Sequence, residues 1–198
     1  MTTSLLDHDL LVVRQKAKLV EVTNQYKLQD PDGNDIGSVN QVGQSKARKV
    51  LRLVSKLDQY LTHKLEIQDA DGKMVLTLLR PAKVMKSKIE VSDASGAAVG
   101  TIVQENIVGK KRFSLNGADG TNLGELLGES WVSWDFKITD ASGAVVGNVN
   151  KKFSGLLREG FTTADTYMVQ LESTLTGPLR SLAFAAAVAI DTALTQDD

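Results

Sequence analysis

The stretch Leu179-Arg180-Ser181-Leu182-Ala183-Phe184-Ala185-Ala186-Ala187-Val188-Ala189-Ile190-Asp191-Thr192-Ala193-Leu194 decides how the rest of the chain must be arranged. From Leu182 to Ile190 no side chain is polar, so a helix over this stretch offers water no face. Such a helix is either enclosed on every side or inserted in a membrane. Its span of about 24 Å falls short of the ~30 Å hydrocarbon core of a bilayer. Arg180 and Asp191 shorten the apolar part further, and Pro178 suits a first helical turn, where its missing N–H is not needed. Alanines at 183, 185, 186, 187, 189 and 193 keep the rod thin, so that neighbouring backbone can approach closely. The expectation is a buried central helix.

What surrounds it is read from internal repetition. Asp93-Ala-Ser-Gly96-Ala-Ala-Val-Gly100 recurs as Asp140-Ala-Ser-Gly143-Ala-Val-Val-Gly147. Looser copies are Asp30-Pro-Asp-Gly33 with Gly37, Asp69-Ala-Asp-Gly72 without a second glycine, and Gly117-Ala-Asp-Gly120 with Gly124. Alternating apolar runs flank each copy, as in Lys88-Ile89-Glu90-Val91 and Thr101-Ile102-Val103, which is the period of half-buried strands. An aspartate opening a type I turn accepts backbone hydrogen bonds, and the glycine takes the left-handed position that follows. Five units therefore predict five hairpins, about ten strands. Leu10–Val13 with Leu19–Thr23, and Tyr167–Leu171, supply the remainder. Between the first two hairpins, Ser45–Tyr60 and the next residue place Val50, Val54, Leu57 and Leu61 at helical spacing and read as a basic amphipathic helix, although Leu51 and Leu53 would also allow a strand. A curved antiparallel sheet needs its inner face covered, and closure removes its edges. The fold class follows: mainly β, one domain over residues 1–198, a closed antiparallel β-barrel of about twelve strands built from repeated hairpins and enclosing the hydrophobic C-terminal helix.

Composition excludes several chemistries. The 198 residues contain no cysteine, which removes disulfides, thiolate metal sites and thiol nucleophiles. Met1–Val13 has aspartates ahead of a short apolar run and no basic start, unlike a signal peptide, so a cytoplasmic location is expected. The net charge of −1 conceals an asymmetry, with residues 44–112 net positive and both flanking stretches net negative. No P-loop, dinucleotide fingerprint or nucleophile elbow occurs, and no enzyme is expected. His8 and His63 are far apart in sequence and lack neighbouring ligands, so neither reads as a metal site. Trp131 and Trp134 could mark an interfacial belt, but Trp134 alternates with Phe136 and Ile138 and reads as core.

The segment Lys151-Lys-Phe153-Ser-Gly155-Leu-Leu-Arg158-Glu-Gly-Phe161-Thr-Thr-Ala-Asp165-Thr-Tyr167, followed by the apolar helix, resembles the C-terminal part of the phospholipid scramblase family and the LURP-one-related proteins. The resemblance implies a Tubby C-terminal-like fold, a barrel threaded by a hydrophobic helix. The chain departs from the eukaryotic scramblases in having no proline-rich arm and no cysteine cluster for palmitoylation. Where that family's calcium loop would place acids, this chain has Thr163, Thr174 and Thr176, with Asp165 retained. Calcium prefers several anionic oxygens, so no calcium cofactor is expected.

Three basic groups stand out: Lys46, Arg48, Lys49, Arg52 and Lys56; Lys83, Lys86 and Lys88; and Lys110, Lys111 and Arg112. They read either as solvated surface or as a site for anionic phospholipid or phosphoinositide headgroups at a membrane surface. Phosphoinositide binding is also what the Tubby-like resemblance implies. Nucleic acid is not expected, since aromatic residues are not interleaved with the bases. Two functions are carried forward: a non-catalytic lipid-associating module, and a scramblase moving lipid across the bilayer.

Overall fold

Strands form where apolar residues alternate. The computed structural model describes residues 4–15, 24–42, 63–81, 87–106, 109–129, 135–150 and 166–194. A 3-10 turn at Leu5–Asp7 leads into β1 (Leu10–Gln15), β2 (Asn24–Gln29), β3 (Asp35–Val42) and β4 (His63–Asp69). Next come β5 (Met74–Arg80), β6 (Lys88–Asp93), β7 (Ala98–Gln104), β8 (Arg112–Gly117) and β9 (Asn122–Gly128). The chain ends with β10 (Phe136–Asp140), β11 (Val145–Asn150), β12 (Thr166–Leu171) and the helix α1 (Gly177–Leu194). Each strand pairs antiparallel with its neighbours in sequence, and β1 closes the ring by pairing with both β2 and β12. The twelve-strand barrel is therefore closed, as expected.

Period-two patterning sends one set of side chains inward. Along β4, His63, Leu65 and Ile67 are buried while Lys64 and Glu66 stay partly exposed. Outward positions carry Glu90, Thr101, Glu125 and Lys137. The same outward rows also carry Leu79, Val103 and Leu127, so the outer wall is mixed in polarity.

The repeated turns work as their sequence implies. Asp93 O accepts from Gly96 N at 3.0 Å, and Asp93 Oδ1 accepts from Ser95 N, Ser95 Oγ and Ala97 N. Gly96 has φ +86°, where a β-carbon is disfavoured. Each hairpin slips register beside its turn, as between Val91 and Ser92, which is the bulge such a turn creates. In the third loose copy Asp119 replaces the missing leading aspartate, its Oδ1 accepting from Thr121 N at 2.9 Å. The second glycines serve another purpose. A β-carbon on Gly100 would lie 2.1 Å from Asn116 O, and one on Gly124 2.1 Å from Thr139 O. They let the backbone of one hairpin approach the next.

The helix lies inside. All nine residues from Leu182 to Ile190 are at most 3% exposed, and α1 packs against β7, β8, β9 and β12. Tyr167 OH donates to Val188 O at 3.3 Å, fixing the helix against β12. A gap of about 10 Å³ is bordered by Ile89, Ile102, Phe113, Leu126 and the helix residues Ala186, Ala189 and Ile190. No described helix is long and apolar enough to cross a membrane.

Strand direction gives the barrel two unlike rims. All five hairpin turns fall on one, with the 3-10 turn and the start of α1. The other is where β1, β3, β5, β7, β9 and β11 end and their successors begin. The expected strand Leu19–Thr23, the helix Ser45–Tyr60, Trp131, Trp134 and the segment Lys151–Asp165 lie outside the described residues.

Candidate functional site

The second rim carries four of the basic residues that the sequence singles out. Lys88 opens β6 and pairs with Val103 of β7, and the next residue of β7, Gln104, pairs with Phe113, beside Arg112 at the start of β8. Lys88, Lys110, Lys111 and Arg112 thus share one rim across three neighbouring strands. Lys88, Lys110 and Arg112 are exposed, and Lys111 is half-buried. Lys46, Arg48, Lys49, Arg52, Lys56, Lys83 and Lys86 lie outside the described residues. The strands flanking those stretches, β3 with β4 and β5 with β6, end and begin at this same rim.

The Lys110–Arg112 corner is held in place. Asn106 Nδ2 donates to Lys110 O at 2.6 Å, and Arg112 N donates to Asn106 Oδ1 at 3.0 Å. Glu105 N donates to Arg112 O, and Gly128 N to Lys111 O, both at 2.8 Å. These hydrogen bonds hold the backbone at Lys110, Lys111 and Arg112 from both sides. Arg112 Nη2 donates to Glu125 Oε1; this hydrogen bond, then the carboxylate charge, raises the Arg112 pKa above its ordinary value. Lys88 pairs with Glu90 at 3.2 Å, while Lys110 and Lys111 make no ion pair among the described residues. The rim therefore presents two lysines outside any described ion pair, with the exposed Glu105 at the same corner.

Inside this rim the wall becomes polar. His63, Arg80, Ser87 and Gln104 are buried here, one level beyond Leu65, Leu78, Ile89 and Ile102. Gln41 Nε2 lies 2.7 Å from His63 Nδ1, within hydrogen-bond distance. Neither this inner arc nor the Asn106 clasp is visible in the sequence, because both depend on which strand ends meet.

The turn rim carries the opposite charge. Asp30, Asp93, Asp119 and Asp140 sit in its turns, and all four titrate below the ordinary carboxylate range. At Asp93 and Asp140 the chief cause is the hydroxyl of Ser95 or Ser142, followed by backbone N–H groups that outweigh slight desolvation. At Asp119 it is the backbone N–H and then the hydroxyl of Thr121. At Asp30 desolvation pushes upward, and hydrogen bonds from Asn34, Asp32 and Gly33 together exceed it. Thr174 and Thr176, at positions examined for calcium, are exposed, with Glu172 the single carboxylate between Thr166 and Thr176.

A family model described as Scramblase matches residues 1–195. The chain belongs to the scramblase family. This scramblase-family chain is 26% identical over 188 residues to a phospholipid scramblase family protein of Schizosaccharomyces pombe, an alignment covering 86% of the chain and 48% of that protein. It thus spans about half the length of the curated relative it matches. No solved structure matches it. The twelve-strand barrel around α1 is accordingly the architecture of a scramblase-family chain, and the fold implied by the residues 151–167 is the fold observed.

Proposed function

We propose that this chain is a non-catalytic, membrane-associating member of the scramblase family that binds anionic phospholipid headgroups, phosphoinositides included, and works as a peripheral protein at the cytoplasmic face. One observation carries the reading: Lys88, Lys110, Lys111 and Arg112 converge on a single rim, with Lys110 and Lys111 on a corner pinned by Asn106. Exposed ammonium groups on a backbone held from both sides attract phosphate oxygens at little backbone ordering cost. Co-sedimentation with vesicles graded from pure phosphatidylcholine to phosphatidylserine or phosphoinositide mixtures tests it. Binding should rise with anionic content and weaken with salt, because exposed charges are screened. Equal binding to neutral and anionic vesicles would remove the idea.

A second reading, transbilayer movement of phospholipid, is favoured by family membership. It requires the apolar residues of α1 to leave the barrel and engage the bilayer. Reconstitution into vesicles with a fluorescent lipid analogue, bleached from outside, distinguishes the two readings. A lipid-binding module leaves the inner leaflet protected, and a scramblase exposes it.

A further inference from the structure

We propose that the barrel docks end-on, its axis near the membrane normal, with the Lys88 and Lys110–Arg112 rim against anionic headgroups and the five-turn rim facing away. The inference rests on the lipid-binding reading and adds the pose, which that reading leaves open.

Charge is separated along the barrel axis. One rim presents Lys88, Lys110, Lys111 and Arg112. The other presents aspartates at the hairpin turns, among them Asp30, Asp93, Asp119 and Asp140. Strands of six to eight residues, tilted as closure requires, separate the rims by roughly 15–20 Å. That is about two Debye lengths at physiological salt. In an end-on pose the four bases, with the exposed Glu105 and Glu129 beside them, lie in the headgroup field while the turn aspartates are screened from it. Lying on its side, the barrel would bring both rims to the surface, and the turn carboxylates would repel the lipid phosphates. Inverted, it would present mainly carboxylates, with Lys73 among them. The aspartates remain ionised even near an acidified lipid surface, because turn hydrogen bonds hold their pKa values down. The described barrel wall is a weaker electrostatic attachment, since its outward positions mix acids and bases such as Lys64, Glu66, Glu90 and Lys137.

The absence of cysteine makes the pose measurable by single-site labelling. Ala118→Cys places a fluorophore in an exposed turn at one rim, and Glu129→Cys places one at the other while leaving every base intact. Each labelled full-length protein is bound to phosphatidylcholine–phosphatidylserine vesicles carrying a headgroup quencher. Strong quenching at residue 129 with little at 118 is the expected result. Comparable quenching at both, or more at 118, with binding retained, overturns the pose and leaves the lipid reading standing. No binding to anionic vesicles removes both. Neutralising Lys110 and Lys111 to glutamine should weaken partitioning roughly fivefold per charge. Asp93→Asn with Asp119→Asn should leave it nearly unchanged. An increase in partitioning from the aspartate changes as large as the loss from the lysine changes would also overturn the end-on pose.

Discussion

Arg180 Nη2 donates to Asp9 Oδ1 at 2.8 Å, joining the first turn of the central helix to the start of the first strand across 171 positions of sequence. The same guanidinium donates to the carbonyl oxygens of Leu6, Glu172 and Leu175. It thereby holds the chain's beginning, the exit from β12 and the helix entry together at the turn rim. Arg180 is buried while Asp9 is about half exposed, so the carbonyl contacts dominate. Arg180→Ala strands three acceptors and should cost about 2–4 kcal/mol in urea unfolding. Asp9→Asn should cost less than ~1 kcal/mol. Arg180→Lys should not restore stability, because an ammonium cannot reproduce the planar fork that spans these oxygens.

Two kinds of glycine should respond differently to substitution. Gly96→Ala strains a left-handed backbone in open space and should cost about 1–2 kcal/mol, most of it recovered by Gly96→Asn. Gly100→Ala drives a β-carbon to 2.1 Å from Asn116 O, and Gly100→Asn meets the same clash. Neither Gly100 variant should recover, and thermal melts of the four proteins separate strain from collision.

Enclosure of α1 predicts an order among alanines. Ala187 is fully buried, whereas Ala186 borders the gap of about 10 Å³ beside Ile89 and Phe113. Overpacking typically costs ~1–3 kcal/mol, and that gap is smaller than the three carbons leucine adds. Ala187→Leu should lie at the upper end and Ala186→Leu at the lower, both measurable by denaturant midpoint. Truncation after Gly177 removes Leu182, Phe184, Val188 and Ile190 from the core and should yield an aggregating sheet. Neutral leucine variants, or a soluble folded truncation, would mean that the helix is not needed inside the barrel.

Much of this architecture was legible because its causes are local. The nine-residue apolar run needs no tertiary information to be read as enclosed, and the Asp-to-Gly spacing carries the turn chemistry with it. Long-range causes were not legible. Arg180 reads in sequence as an interruption of the apolar stretch, and only its partners at Leu6 and Asp9 make it a fastening. Gly100 reads as part of a repeat, but its reason lies on β8, at Asn116. The gathering of Lys88 with Lys110, Lys111 and Arg112 follows from register between strands, which charge counting cannot supply.

The turn aspartates also predict how stability depends on pH. Asp30, Asp93, Asp119 and Asp140 have folded-state pKa values below the ordinary 3.8, so each binds its proton less readily in the folded chain than in the unfolded one. Their contribution is therefore complete above the unfolded value and is lost as pH falls through the lower folded values. Between pH 5 and 8 these four groups should leave the melting temperature unchanged. Below about pH 4 the melting temperature should fall as the unfolded state takes up protons first. Replacing Asp93 and Asp140 by asparagine keeps an oxygen for Ser95 N and Ser142 N but removes the titration. The double variant should be somewhat less stable at neutral pH, where charged acceptors are stronger, and lose less on acidification. Melting curves from pH 2.5 to 7 compare the slopes. Identical acid slopes in parent and variant would show that these carboxylates do not couple turn formation to protonation.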